Sequence, residues 1–209
     1  SPGATRLFLQ FLAGRARQAE ALYILGDLFE TWIGDDDIDE PYHAEIVSAL
    51  RAASDAGLKI SVMHGNRDFL LGSGFTAASG TLLLKDPYVL STAEWQFVLS
   101  HGDALCLDDS AYMAFRAQVR SPEWQATLLA KPLSERRAIA AHMREVSESS
   151  QRGKDNPYTD LQAAATDDFL REHGYATFIH GHTHQPATHD HIVDGIHVER
   201  WVMSDWHED

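Results

Sequence analysis

The 209-residue chain is short of cysteine, of basic residues and of long apolar runs, and each shortage closes off a class of protein. Its one cysteine, Cys106, excludes an internal disulfide and cannot build a thiolate zinc site alone, so a cytosolic setting is expected. The 17 Lys and Arg stand against 31 Asp and Glu, a formal net charge of −14, which argues against a nucleic-acid partner because phosphate backbones call for a cationic face. No apolar run approaches the ~18 residues that cross a bilayer, and no basic start followed by an apolar stretch marks a secretory signal. An initiator Met is also lacking. Ser1-Pro2-Gly3-Ala4 leads directly into an amphipathic helix with Leu7, Phe8, Phe11 and Leu12 on one side, so the chain is expected to be cut at its start. What is present is 44% apolar residues, enough for one sizeable core and short of two independent domains. One domain with an insertion is the expectation.

Along the chain, apolar runs alternate with helical patterns. Ala21 to Leu25 reads as a buried strand that stops at Gly26-Asp27, and Leu58 to Met63 as another that stops at His64-Gly65-Asn66. Between them, Ile46, Val47 and Leu50 lie at helical spacing over 42–56, with Gly57 as the terminator. Shorter strands are expected at Thr81 to Leu84, Tyr88 to Leu90 and Trp95 to Ser100, the last stopping at His101-Gly102-Asp103. Residues 111–152 read as helical, broken at Pro122 and Pro132. A helix over about 159–173 and a strand from Tyr175 to Ile179 follow, ending at His180-Gly181-His182-Thr183-His184, and a last strand covers Ile196 to Met203. This alternation predicts a layered α/β fold with a mixed or parallel sheet.

Four of these strands end in a glycine beside Asp, Asn or His, which predicts that the polar residues gather at one sheet edge, where open α/β folds place ligands. A single Gly-Asp pair would mark no more than a turn or a helix cap. The segment IHGHTH says more: His182 and His184 straddle Thr183, so both imidazoles can reach one site, and Gly181 lets the backbone approach a cation closely. Histidine is the commonest transition-metal ligand. A histidine-rich surface turn is the alternative.

In order, GDLFE (26–30), GNRDF (65–69), HGD (101–103) and GHTH (181–184) resemble the signature of the calcineurin-like metallophosphoesterases. The resemblance implies a carboxylate bridging two divalent cations, with Asp27 suited to the bridge, Asn66, His101 and His182 to one metal and His184 to the other. Nitrogen and oxygen donors without cysteine fit Mn²⁺, Fe or Zn, with Mn²⁺ the expected identity and Mg²⁺ less suited. Arg67 stands where the wider superfamily usually has a histidine, and its always-charged fork suits charge stabilisation better than proton transfer.

The stretches ALYILGDLFETWIGDDD, HGNRDFLLG and HGDALCLDDSAYMAFR resemble the UDP-2,3-diacylglucosamine diphosphatase family of lipid A biosynthesis over nearly the whole chain. That likeness implies a four-layer α/β/β/α sandwich over residues 1–209 with a helical cap inserted at about 111–155. It implies hydrolysis of UDP-2,3-diacylglucosamine to UMP and 2,3-diacylglucosamine 1-phosphate (lipid X) by a metal-activated water. Asn66, Arg67 and His182 would be catalytic, and Asn66, Arg67, Asp109, Ser147, Gln151, Lys154 and His182 would contact substrate, with Gln151 standing where Asn is usual. A Gram-negative source, a monomer, and a cytoplasmic location peripheral to the inner membrane complete the expectation. The family also opens with a strand ending in Asp-x-His that supplies two ligands, and nothing before Asp27 matches it. Two other readings therefore stay open: a related phosphoesterase acting on another phosphate ester, and an inactive phosphoesterase-like binding domain.

Charge distribution bears on the cap independently. Residues 116–154 carry eight Lys or Arg against four Glu, net +4 in a chain of −14, with Trp124, Leu128, Leu129, Leu133, Ile139 and Met143 as apolar surface for acyl chains or a membrane interface. A helical pair packed on the core with a solvated basic face is the alternative. The acidic run Asp35-Asp36-Asp37 with Asp39 and Glu40 reads as a solvated loop. Cys106 reads as a small buried residue, Asp68 and Asp103 as groups that orient their neighbours, His64 and His180 as structural, and His189, His191, His197 and His207 as non-ligands.

Overall fold

A computed structural model describes residues 2–151 and 160–206, apart from the side chains of residues 148, 150 and 151. The chain forms a mixed α/β structure with two sheets, divided between two compact units: one runs up to Asp86 and takes the chain back from Ser204, the other is Pro87–Met203.

The first unit holds a three-stranded parallel sheet in the order β1 (Ala21–Ile24), β2 (Lys59–Met63), β3 (Leu82–Leu84). Helix α1 (Pro2–Ala13) buries Phe8 and Leu12, the side of the helix its apolar spacing selects. Helix α2 (Pro41–Asp55) starts with Pro at its first position and Glu40 as cap, whose carboxylate accepts from the backbone N–H of Tyr42 and His43. It packs against α1, β2 and a short helix α3 (Ser73–Ser79), burying Ile46, Val47, Leu50 and Ala53. Phe29, Trp32, Phe75 and the ring of His43 pack together in the core of this unit, with Phe75 and His43 nearly at right angles to Phe29 and Trp32 tilted against it.

Here the acidic run departs from the solvated loop expected of it. Asp37 is 6% exposed. Asp35 accepts hydrogen bonds from the Trp32 indole at 3.1 Å and from the backbone N–H of Gly72 and Gly74 at 3.0 and 2.7 Å. Its carboxylate thus holds the start of α3, and only Asp36 of the three is exposed. Crowded carboxylates are tolerated because donors 37 and 39 residues away meet one of them.

The second unit holds a five-stranded mixed sheet in the order β4 (Tyr88–Ser91), β5 (Gln96–Ser100), β6 (Thr177–His180), β8 (Ile196–Val202), β7 (Ala187–Val193). β5, β6 and β8 run parallel, and β4 and β7 are antiparallel edges. Val98, Phe178, Val193, Val198 and Leu170 of helix α7 (Ala163–Glu172) form its core, with Cys106 and Leu161. Helices α4 (Ser110–Val119), α5 (Pro122–Leu129) and α6 (Leu133–Gln151) carry the breaks expected at the two prolines. Arg136, counted with the basic face in sequence, is 3% exposed and donates to the Lys131 carbonyl.

The four strand ends belong to two sheets, two in each, rather than to the edge of one. Within each pair the strands are parallel, so β1 and β2 bring Asp27 and Asn66 to one edge of the first sheet, and β5 and β6 bring His101 and His182 to one edge of the second.

Candidate functional site

In the first unit the loops after β1 and β2 are held by one buried carboxylate. Asp68, 0% exposed, accepts from the backbone N–H groups of Leu28 and Gly65 at 2.7 Å each, and of Asp27 and Phe29 at 3.3 and 3.4 Å. Four converging donors satisfy a buried charge that would otherwise be costly. They also hold Asp27 at φ 53°, the left-handed conformation that aspartate tolerates better than most residues. Asp27 Oδ1 accepts the backbone N–H of Arg67 at 2.9 Å, which draws the Asn66-Arg67 loop onto the Asp27 side chain. Gly65 is flush against that side chain: a Cβ there would lie 2.8 Å from Asp27 Cγ and closer still to its Oδ1 and N. The Arg67 guanidinium, about a third exposed, pairs with Glu30 and lies 3.7 Å from Asp27 Oδ2.

In the second unit, His101 and His182 face each other with ring centroids 5.0 Å apart and ring nitrogens within 4.8 Å. His101 is 1% exposed and its carbonyl accepts the Gly181 N–H at 3.1 Å, tying the turn after β5 to the turn after β6. His182 and His184 have φ of 64° and 52°. Asp103, 0% exposed, takes the Tyr112 hydroxyl at 2.8 Å and Arg116 Nε at 2.9 Å, with Arg120 at 3.8 Å. Burial alone would raise the Asp103 carboxyl, but His101, Arg116 and Arg120 outweigh it and bring it down to about 2. Tyr112 also packs its ring on His182, with centroids 5.4 Å apart. Arg116 and Arg120 are counted in the sequence only with the basic segment 116–154 and Tyr112 is not singled out there, though Tyr112 and Arg116 share one face of α4 at i, i+4 and Arg120 follows at i+8 as its C-cap.

The other candidates fall as follows. Asp109 caps α4, accepting the Tyr112 N–H at 2.9 Å, and Ser147 is exposed on α6. Lys154 and the side chain of Gln151 lie outside the described residues, as does His207. His64 bonds the Leu71 carbonyl at 2.7 Å, His191 pairs with Asp167, and His197 with Asp190. His180 is fully buried, and burial, with Arg200 adding to it, pushes its imidazole down to about 4.

These residues suit a divalent cation. The second unit offers two convergent imidazole nitrogens, the first a carboxylate and an amide on adjoining loops, and Cys106 is withdrawn from the chemistry by burial that pushes its thiol up to about 12. Nitrogen and oxygen donors without a thiolate match a borderline to hard ion.

The chain is 50% identical over 208 residues to "UDP-2,3-diacylglucosamine hydrolase" of Chromobacterium violaceum, spanning 99% of this chain and 85% of that protein. The protein of the same name from Aromatoleum aromaticum is 46% identical over 208 residues, 100% of this chain and 84% of the relative. That from Escherichia coli (strain SMS-3-5 / SECEC) is 46% identical over 206 residues, 99% and 85%. The chain belongs to the UDP-2,3-diacylglucosamine hydrolase family. No family model matches it. Its candidate residues Asp27, Asn66, His101 and His182 stand on short turns after parallel strands, and among the described residues no helix is long and apolar enough to cross a membrane.

Proposed function

We propose that this chain hydrolyses the pyrophosphate of UDP-2,3-diacylglucosamine in lipid A biosynthesis, releasing UMP and 2,3-diacylglucosamine 1-phosphate, with water attacking the phosphorus on the uridine side. The observation that carries this reading is 46–50% identity, over almost all of this chain, to relatives named for hydrolysis of that compound. Asp27, Asn66, His101, His182 and His184 would hold the divalent cations, with Mn²⁺ as the ion. When bound, two divalent cations lower the pKa of an attacking water and neutralise phosphate charge.

The chain's own groups do the rest. Arg67 is steered by Glu30 and Asp27, and in this reading its guanidinium turns to the non-bridging phosphate oxygens, where charge grows in the transition state. Asn66 adds an amide to the same oxygens. His182, its ring packed on Tyr112, is oriented before substrate arrives. Asp109, Ser147, Gln151 and Lys154 complete the substrate contacts in this reading, and acyl chains extend toward residues 116–154. The proposal also covers the four-layer α/β/β/α arrangement, a single domain of residues 1–209 with a cap at about 111–155, a monomer, and a cytoplasmic position peripheral to the inner membrane.

The test is release of UMP from UDP-2,3-diacylglucosamine and from a simple UDP-sugar in the presence of Mn²⁺. Turnover of the lipid substrate alone is expected, and it is expected to vanish in Asp27→Ala and His182→Ala while circular dichroism stays that of the parent. Equal turnover of both compounds would reassign the substrate. Unchanged rates in the two variants would reject the ligand set.

A further inference from the structure

We propose that Arg200 and Asp160 are positioning residues for the Gly181–His184 loop, acting through the ring of His180; this rests on the reading of His182 and His184 as cation ligands. The loop faces a conformational problem. His182 and His184 both occupy the left-handed region, at φ 64° and 52°, which a non-glycine residue keeps only when its surroundings impose it. Thr183 between them is fully buried, and its hydroxyl has no hydrogen-bond partner among the described residues, so no hydrogen bond from that hydroxyl pins the loop.

What imposes the conformation begins at His180. The Gly181 carbonyl lies 2.8 Å from His180 Nδ1, and Arg200 Nη1 lies 3.1 Å from Nε2. A guanidinium has only donors and a carbonyl only accepts, so one tautomer satisfies both: Nδ1–H donates to Gly181, and Nε2 accepts from Arg200. The ring is therefore tied at both nitrogens, one of them to the first peptide of the loop. Gly102 makes the room, since a Cβ there would sit 2.8 Å from His180 Nδ1. The Met203 N–H holds the His180 carbonyl at 2.8 Å.

Arg200 is itself fixed. It is 4% exposed, and its two terminal nitrogens grip both oxygens of Asp160 at 2.9 and 3.0 Å. That bidentate pairing neutralises the buried charge and sets the plane of the guanidinium. The line of contact runs Asp160, Arg200, His180, Gly181 carbonyl, and then to the two histidines. Lysine at 200 would keep the charge and lose the fork that spans Asp160 and His180 together.

The experiment is Mn²⁺ titration of the metal-stripped protein by calorimetry, without substrate, for the parent, Asp160→Asn and Arg200→Lys, alongside melting in chelator. Affinity is expected to fall tenfold to a hundredfold in both variants, as loss of a group that orients a metal ligand does, and Asp160→Glu is expected to recover it. Should Arg200→Lys fail to fold, Asp160→Asn decides, because its carboxylate is 39% exposed and the change conserves shape. Variants that bind Mn²⁺ as tightly as the parent while melting lower in chelator overturn the inference and leave a purely structural role. A parent that binds no Mn²⁺ overturns the ligand reading itself and this inference with it.

Discussion

Gly65 has no room for a side chain, and its neighbours cannot give way cheaply. The atoms a Cβ would meet are the Asp27 carboxylate and the Asp27 backbone nitrogen, both already fixed by Asp68 and by the Arg67 N–H. Gly65→Ala is therefore expected to displace the Asp27 turn and cut turnover by on the order of a hundredfold, as misplacement by about an ångström does. A rate within threefold of the parent would show that the turn yields more easily than its hydrogen bonds indicate. Cys106 presents the opposite case, a group the fold keeps inert. Burial, with Asp103 next, pushes its thiol up to about 12, so on the order of one molecule in ten thousand is a thiolate at pH 8. A disulfide reagent at that pH is expected to leave the folded protein unlabelled and to react at once in denaturant. The linkage has a definite sign: the folded-state value is raised, so this contribution to stability is whole below the unfolded value near 9 and is lost as pH climbs from there toward 12.

At the scale of elements, the strands that carry the candidate ligands were legible because each is an apolar run closed by glycine and a polar residue. β1, β2, β5 and β6 fall within a residue or two of where that pattern puts them. Two elements were not read. α3 is seven residues long and rich in Ser, Ala and Gly; its start is held by Asp35, a contact 37–39 residues distant that no local pattern reveals. β7 reads ATHDHIV, with too many polar residues for clear alternation, yet Asp194-Gly195 beyond it is the two-residue hairpin turn that joins it to β8, and that signal was available. The candidate site was legible as a set of residue types and hidden as a set of tethers. Asp68 could be read as an orienting group, but its four donors come from two loops nearly 40 residues apart. Replacing it with Asn halves the acceptor oxygens and removes the charge, so Asp68→Asn is expected to cost about 2–4 kcal/mol in urea unfolding and to lower turnover with it. A loss below about 0.5 kcal/mol, the range of an ordinary surface change, would mean that the four contacts are not acting together.

On the scale of the whole molecule, charge is distributed against the average. A chain of −14 carries net +4 in residues 116–154; Arg116 and Arg120 are turned to Asp103 and Arg136 is buried, which leaves Lys131, Arg137 and Arg144 toward the surface among the described residues of that stretch, where Leu129 and Val146 are 44% and 53% exposed. Cationic and apolar groups side by side suit a surface of anionic lipid, where each Lys or Arg near the headgroups contributes roughly 1 kcal/mol and each buried aliphatic side chain roughly 1.5–3. The acidic remainder of the chain would be repelled by that surface, so binding through this segment alone should also orient the protein. Co-sedimentation with vesicles separates the two contributions. Salt at 1 M, with a screening length of ~3 Å, is expected to remove the electrostatic share and leave the apolar one. Leu129→Glu with Val146→Glu is expected to remove the apolar share and to raise KM for the diacylated substrate about tenfold, a change worth ~1.4 kcal/mol, with kcat unchanged. If vesicle binding and KM both stay at parental values in that variant, these helices meet neither membrane nor acyl chains, and their basic residues form a solvated face.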